Sequence, residues 1–428
     1  MPYKILSLDG GGSWALIQAM VLKDIYGDLP GQEILRDFDL VIANSGGSMV
    51  LAAMVSNLKM SEIVSVFTNE TDRKEVFSKL GFWEKTWAKF TNAVGIGGPK
   101  YSAERKFKGL EKVLMQRTGV TNRDELLANQ PMTQIPGIVG GKFPDLIVCG
   151  YNYFKERESF FRSNPLSNTA GFNSARWDIS LLHAVHASSN APLNYFDEPA
   201  IVKTWETTKP SAKMKDWYWD GAVGGFNNPV MAGLVEAMTN GKGNTAADYR
   251  ILSIGTGAAR KPVIVGFDEG TDEQKAIYEA NKNNKMVHAD KKTGFLKDLP
   301  KMAQSILADP PDAASFVAFS VLKPSLDNDP CIVRINPCVT PELNKNTNRY
   351  EAPAAWTNGE TSFIDLLDLD MDAVKQDDVN LIVELCARFI VDNHVAPVIP
   401  NQFIRGDGNG KHIGYGTYAE AKGMWGLP

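Results

Sequence analysis

Two glycine-rich turns near the start of this 428-residue chain carry the groups best suited to chemistry. The first, Asp9-Gly10-Gly11-Gly12, follows the apolar run from Tyr3 to Leu8. Three consecutive glycines between a strand and a helix bare backbone N–H groups. Such groups suit a bound phosphate or an oxygen that turns negative only during a reaction. The second turn, Ala43-Asn44-Ser45-Gly46-Gly47, has small residues two before and two after a serine. That spacing permits the strained strand-to-helix turn on which a nucleophilic hydroxyl is presented. Ser48 is the rival, but the position two residues after it is the β-branched Val50. Ser45 therefore fits better, and Ser48 is expected to cap the following helix.

A dinucleotide fingerprint, Gly10-x-Gly12-x-x-Ala15, can be fitted to the first turn. The second strand of such a fold should end on a carboxylate that binds ribose, whereas here it ends Val41-Ile42-Ala43-Asn44. The anion is therefore sought in a reaction. A serine nucleophile needs a base, and the chain holds five histidines, at 183, 186, 288, 394 and 412. An α/β-hydrolase would carry its elbow later than the second strand. The other base on offer is Asp220, which follows Trp217, Tyr218 and Trp219 at the end of an apolar segment. Desolvation by those rings would raise its pKa and make it a better proton acceptor. Without that context it would read as a plain Asp-Gly turn.

The elements around these turns alternate strand, turn, helix, strand, turn, helix. Strands are expected at 4–8 and 39–43, with helices at 16–25 and 48–55, which is the pattern of a parallel sheet. Further strands are expected at 144–149 and 249–254, and weaker ones at 316–321 and 332–335. Helices are expected at 102–117, 179–186, 229–238 and 378–391. The polar stretch 266–284 and the prolines at 310 and 311 read as surface excursions. The last residues, rich in glycine and proline, read as a loop-rich tail.

Composition narrows the function classes. A formal net charge of −5 argues against nucleic acid as a partner. Four cysteines without paired spacing suggest reduced, buried thiols rather than a disulfide frame or zinc site. Met1-Pro2 leads straight into a strand, and no apolar run reaches the roughly 18 residues of a membrane span. A cytoplasmic location is expected.

Taken in order, these blocks resemble the patatin-like phospholipase family. The glycine block Asp9 to Gly12, the elbow at Ser45 and Asp220-Gly221-Ala222 carry the likeness. It is supported by "HASSNAPLNYF" at 186–196, "ILSIGTG" at 251–257, "ESFFRS" at 158–163, Asn227-Asn228-Pro229, and "IVRINP" at 332–337. The resemblance implies an α/β, three-layer fold with a mainly parallel central sheet and helices on both faces. A catalytic domain would span 1–393, with surface excursions near 60–130 and 260–312 and a tail over 394–428. It further implies a Ser45–Asp220 dyad, an acyl-enzyme, and Gly10, Gly11 and Gly12 as oxyanion donors. Neither cofactor nor metal is implied, and the substrate would be a lipid or phospholipid ester. The chain departs from the family pattern at Ser13-Trp14-Ala15, where a basic residue followed by Gly is usual, and at Ala43 and Ser48. The stretch from Asp220 to Asn227 also looks one residue longer. A catalytically impaired lipid-binding or regulatory protein of the same fold is the alternative reading.

Two other features are weighed. Phe82, Trp83, Trp87, Phe90 and Val94 fall at helical spacing with Lys85 and Lys89 beside them, a face suited to core packing or to peripheral contact with a membrane. His183 and His186 share a helix face, but no third ligand stands nearby for zinc.

Overall fold

A computed structural model describes residues 1–77, 99–164, 177–192, 195–206, 209–264, 266, 270–289, 310–323, 331–354, 356–391 and 415–426. The aromatic face at 82–94 and His394 and His412 lie outside these residues.

The first elements are β1 (Tyr3–Leu8), α1 (Leu16–Tyr26), β2 (Leu40–Ala43) and α2 (Ser45–Val55). Strand β1 pairs in parallel with β2, and Leu8 and Ala43 end them side by side. Both glycine-rich turns therefore leave the same edge of the sheet. Next come α3 (Met60–Thr68), α4 (Glu70–Val76), α5 (Ala103–Thr118), β3 (Asp145–Asn152), β4 (Arg157–Arg162), β5 (Trp177–Ile179) and α6 (Leu181–Ser188). Then follow β6 (Ala200–Glu206), β7 (Lys209–Asp220), α7 (Val230–Thr239), β8 (Tyr249–Ile254), α8 (Asp272–Asn281), α9 (Pro310–Leu322) and β9 (Ile332–Ile335). Helices α10 (Gln376–Val391) and α11 (Tyr418–Gly426) close the chain.

Among the described residues, the main sheet has nine strands in the order β9-β8-β1-β2-β3-β7-β6-β5, with β4 also on β3. Its centre, β9 to β3, is parallel, and the wing formed by β4, β7, β6 and β5 is antiparallel. Strand alternation divides the core between two faces. Leu6 and Leu8, Val41 and Ala43, and Leu252 and Ile254 pack with α1, α2, α6 and α10. Ile5, Leu40, Ile42 and Ile251 point the other way and pack with α7 and α9. The chain is thus α/β with helices on both faces of a central sheet, as expected.

Several expectations fail, each for a physical reason. The run at 316–321 is helical, within α9. Its buried Ser315, Ala318, Phe319 and Leu322 recur at helical spacing, which outweighs the strand preference of Phe and Val. The region near 60–130 is no surface excursion in its described parts, because Met60, Ile63, Phe67, Leu110, Val113 and Leu114 are buried in the larger core. Within 266–284, helix α8 lies at the surface, tied down by its buried Asn281, which donates 2.7 Å to the carbonyl of Asn348. Of the tail at 394–428 only 415–426 are described, and there α11 is helical: Trp425 stacks on Phe38, centroids 5.8 Å apart, and donates 3.0 Å to the Tyr26 hydroxyl. Helix α2 starts at Ser45, not Ser48. Ser48 lies in its first turn and donates 2.5 Å to the Ser45 carbonyl instead of capping it.

Candidate active site

Ser45 sits at the first position of α2 with φ +47°, a left-handed conformation that a side-chain-bearing residue rarely adopts. Its N–H donates 2.8 Å to Ser188 Oγ at the end of α6. The turn is tight because it rests backbone to backbone on the first glycine turn. A Cβ at Gly46 would come within 2.5 Å of the Gly12 carbonyl, so a larger residue there would push the two turns apart. This is the strained strand–turn–helix geometry that the spacing of small residues predicts.

Asp220 ends β7 and is 2 % exposed. Its N–H donates 3.0 Å to the Asn190 carbonyl, just past α6. Its Oδ1 accepts from Asn44 Nδ2 at 3.0 Å and from the Ala222 N–H at 2.9 Å. Asn44, the residue before Ser45, does not cap α2 with its side chain. It spends that amide on Asp220, while its Oδ1 accepts from Ser188 Oγ at 3.2 Å. Serine turn, aspartate and the end of α6 thus form one hydrogen-bonded unit.

Burial pushes the Asp220 carboxyl above its usual range. Hydrogen bonding from the Ser45 hydroxyl, the Ala222 N–H and Asn44, and the charge of Lys106, act in the opposite direction. Lys106 is fully buried in α5 and donates 2.9 Å to the His186 carbonyl and 3.2 Å to Ser189 Oγ. Its ammonium lies 4.3 Å from the centre of the Phe196 ring. Burial pulls its pKa well below the ordinary lysine range, and Asp220 opposes that shift.

The three glycines differ in what their N–H groups do. That of Gly10 donates 2.8 Å to the Asn227 carbonyl. Those of Gly11, Gly12 and Gly46 have no protein acceptor among the described residues. The loop is held from several sides. Thr256 Oγ1, in the turn after β8, donates 2.8 Å to the Gly10 carbonyl. The Asp9 carbonyl accepts from Gln18 Nε2 at 2.9 Å and from the Gly47 N–H at 3.2 Å. Beneath it, the Asp9 carboxylate forms a two-pronged pair with Arg334 of β9, at 2.9 and 2.5 Å.

The described histidines near the site take no part in this unit. His183 and His186 pack on Phe107, with ring centroids 4.6 and 5.2 Å away. Burial pushes His183 down to about 4 and His186 lower than its usual range, so both are neutral near pH 7. No cluster among the described residues has the make-up of a metal site, and the cysteines at 149, 331, 338 and 386 are buried and in no disulfide. Trp14 is buried and its indole donates 3.1 Å to the Asp370 carbonyl.

Asn44, Ser188, Lys106, Arg334, Thr256 and the Gly46 N–H escaped the reading of the sequence. Lys106 had a signal, since it precedes Leu110, Val113 and Leu114 by 4, 7 and 8 residues, on the buried stripe of α5. Gly46 had another, as the residue following an elbow serine commonly supplies an oxyanion N–H.

The left-handed serine turn and the buried aspartate meet where β2 and β7 end, in a protein of the α/β class. The patatin-like phospholipase family model matches residues 6–234, more than half of the chain, and the chain belongs to that family. Membership places it among lipid ester hydrolases. Among solved structures, VipD from Legionella pneumophila is similar at 11% identity and a TM-score of 0.33, over 90% of this chain and 67% of that one. The type III effector protein ExoU is similar at 10% identity and a TM-score of 0.24, over 74% of this chain and 53% of that one. No curated protein matches the sequence. Among the described residues, no helix is long and apolar enough to cross a membrane.

Proposed function

We propose that the chain is a lipid acyl hydrolase of phospholipase A or lysophospholipase type, working through Ser45 and Asp220 and an acyl-enzyme. The observation that carries this reading is the strained Ser45 turn set against a buried Asp220 whose hydrogen-bond donors are all neutral. The Asp220 carboxylate takes the Ser45 proton as Oγ attacks the acyl carbonyl. The tetrahedral oxyanion accepts the N–H groups of Gly11, Gly12 and Gly46. Gly10 serves by holding the loop, since its own N–H is engaged by Asn227. As the ester C–O bond breaks, Asp220 returns the proton to the departing alcohol oxygen. Water then gives a proton to Asp220 and attacks the acyl carbon. Collapse of the second intermediate frees the fatty acid, and Asp220 reprotonates Ser45.

The substrate is a carboxylic ester of a lipid met at a membrane or micelle surface. Incubation with phospholipid and lysophospholipid vesicles, with fatty acid release as the readout, tests the assignment. Native protein should release fatty acid, and Ser45→Ala and Asp220→Asn should not. Equal release by all three would refute it.

A further inference from the structure

The glycine loop is also gripped by a segment from the far end of the chain, beyond the residues that the family model matches. Residues 369–373, between the helix ending at Leu367 and α10, meet it at Gly12, Ser13 and Trp14. The Met371 carbonyl accepts the Ser13 N–H at 2.9 Å, and the Asp370 carbonyl accepts the Trp14 indole at 3.1 Å. Gly12 has φ +57°, and a Cβ there would lie 2.5 Å from the Met371 carbonyl oxygen, so loop and segment meet backbone to backbone.

The segment is itself tied down by side chains from elsewhere. Asp370 accepts from the Tyr195 hydroxyl at 2.5 Å and from Lys100 Nζ at 2.7 Å. Asp372, whose side chain is 8 % exposed, accepts from the same ammonium at 3.1 and 3.2 Å and from the Tyr101 hydroxyl. The N–H groups of Lys100 and Tyr101 both donate to the Tyr195 carbonyl, at 3.0 and 2.8 Å. Lys100 therefore bridges two carboxylates that would otherwise repel one another, one on each side of Met371.

We propose that residues 369–373 are a strap that positions the glycine loop for catalysis, and that Lys100, Tyr195 and Trp14 are positioning residues acting through it. This rests on the reading of Gly11 and Gly12 as oxyanion donors. None of the three touches the reacting atoms. Their effect is to fix the carbonyls of Asp370 and Met371, and through them the direction of the N–H groups one and two residues earlier in the loop. A misplacement of such donors costs transition-state stabilisation while leaving ester binding in place.

The test compares native protein, Lys100→Met, Lys100→Arg, Trp14→Phe and Ser45→Ala on a soluble p-nitrophenyl ester, with circular dichroism to verify folding. A long-chain trifluoromethyl ketone, which forms a tetrahedral oxyanion on the active serine, reports on the loop separately. In Lys100→Met, kcat should fall about 10- to 100-fold, with KM within about twofold. Ketone affinity should weaken in step with kcat. Lys100→Arg should recover most of the loss, and Trp14→Phe should show a smaller loss of the same kind. Unchanged kcat in folded Lys100→Met and Trp14→Phe overturns the strap, as does a fall in kcat with ketone affinity unmoved. A dead Ser45→Ala beside a fully active Lys100→Met overturns the strap alone. Retained activity in Ser45→Ala overturns the dyad reading, and the strap with it.

Discussion

Asp9 and Asp220 are both 2 % exposed, and both lie where a strand hands over to a turn of the site. Asp9 follows β1 and meets a full guanidinium, with Arg334 gripping both of its oxygens and also donating 2.9 Å to Ser253. Asp220 ends β7 and meets an amide, a backbone N–H and a hydroxyl. The first carboxylate is locked to a cation and serves as a foundation. The second is held by neutral donors, and burial raises its pKa, as the proposed role of general base requires. The difference teaches that burial alone does not make an aspartate chemical; the charge of its partners decides.

Substitution should separate the two roles, and the largest effect falls on the rate. In Asp220→Asn the shape is kept and the base is lost, so kcat for ester hydrolysis should fall roughly 10⁴- to 10⁶-fold, as for removal of a member of a catalytic unit. Ser45→Ala should fall equally far, and the double variant no further. Assay of the singles and the double on one ester checks this non-additivity.

At Asp9 the large effect falls on stability. Arg334→Met leaves a buried carboxylate without its cation and should cost about 3–5 kcal/mol, read as a lowered midpoint in denaturant unfolding. Asp9→Asn combined with Arg334→Met should regain part of that loss. A stable Arg334→Met would remove the foundation role.

Titration gives a moderate effect. kcat/KM should rise with pH as Asp220 loses its proton, with the limb above the ordinary aspartate range near about 4. Lys106 pulls that carboxyl down, so Lys106→Met should move the limb to higher pH. A limb unmoved or moved down would contradict the role given to Lys106. The same shift acts on stability. Because the folded pKa of Asp220 is raised, its contribution is most favourable below the unfolded value and is lost as pH rises through the folded value. Asp220→Asn should therefore gain in melting temperature over the native chain at neutral pH, and the gap should close on acidification.

The smallest effect is expected at the histidines. His183 is pushed down to about 4 and bonds Ser180 Oγ at 2.9 Å, away from the dyad. His183→Gln should keep kcat within about threefold of native, measured on the same ester.

Much of this comparison was legible in the sequence, and the rest was hidden for a definite reason. The buried strands at 249–254 and 332–335 announced themselves as short apolar runs. Ser45 and Asp220 stood out because local rules mark them: small residues around a turn, and aromatics before an Asp-Gly. What local rules cannot mark is a partner brought in by topology. Ser188 meets Asn44 across 144 residues, and Arg334 meets Asp9 across 325. The motifs quoted only as likeness, "HASSNAP", "ILSIGTG" and "IVRINP", turn out to supply Ser188 and Asn190, Thr256, and Arg334. The helix at Pro310–Leu322 was misread because short runs of Phe and Val favour strand locally, while its burial pattern depends on α7 packed beside it.

The central claim is that Ser45 is an activated nucleophile, and covalent labelling with an active-site-directed fluorophosphonate, followed by peptide mapping, tests it most directly. The account predicts one adduct, on Ser45, that is absent in Ser45→Ala and formed far more slowly in Asp220→Asn. An adduct on another residue, or no adduct in a folded protein that still binds lipid vesicles, would contradict it and leave a lipid-binding protein of the same fold.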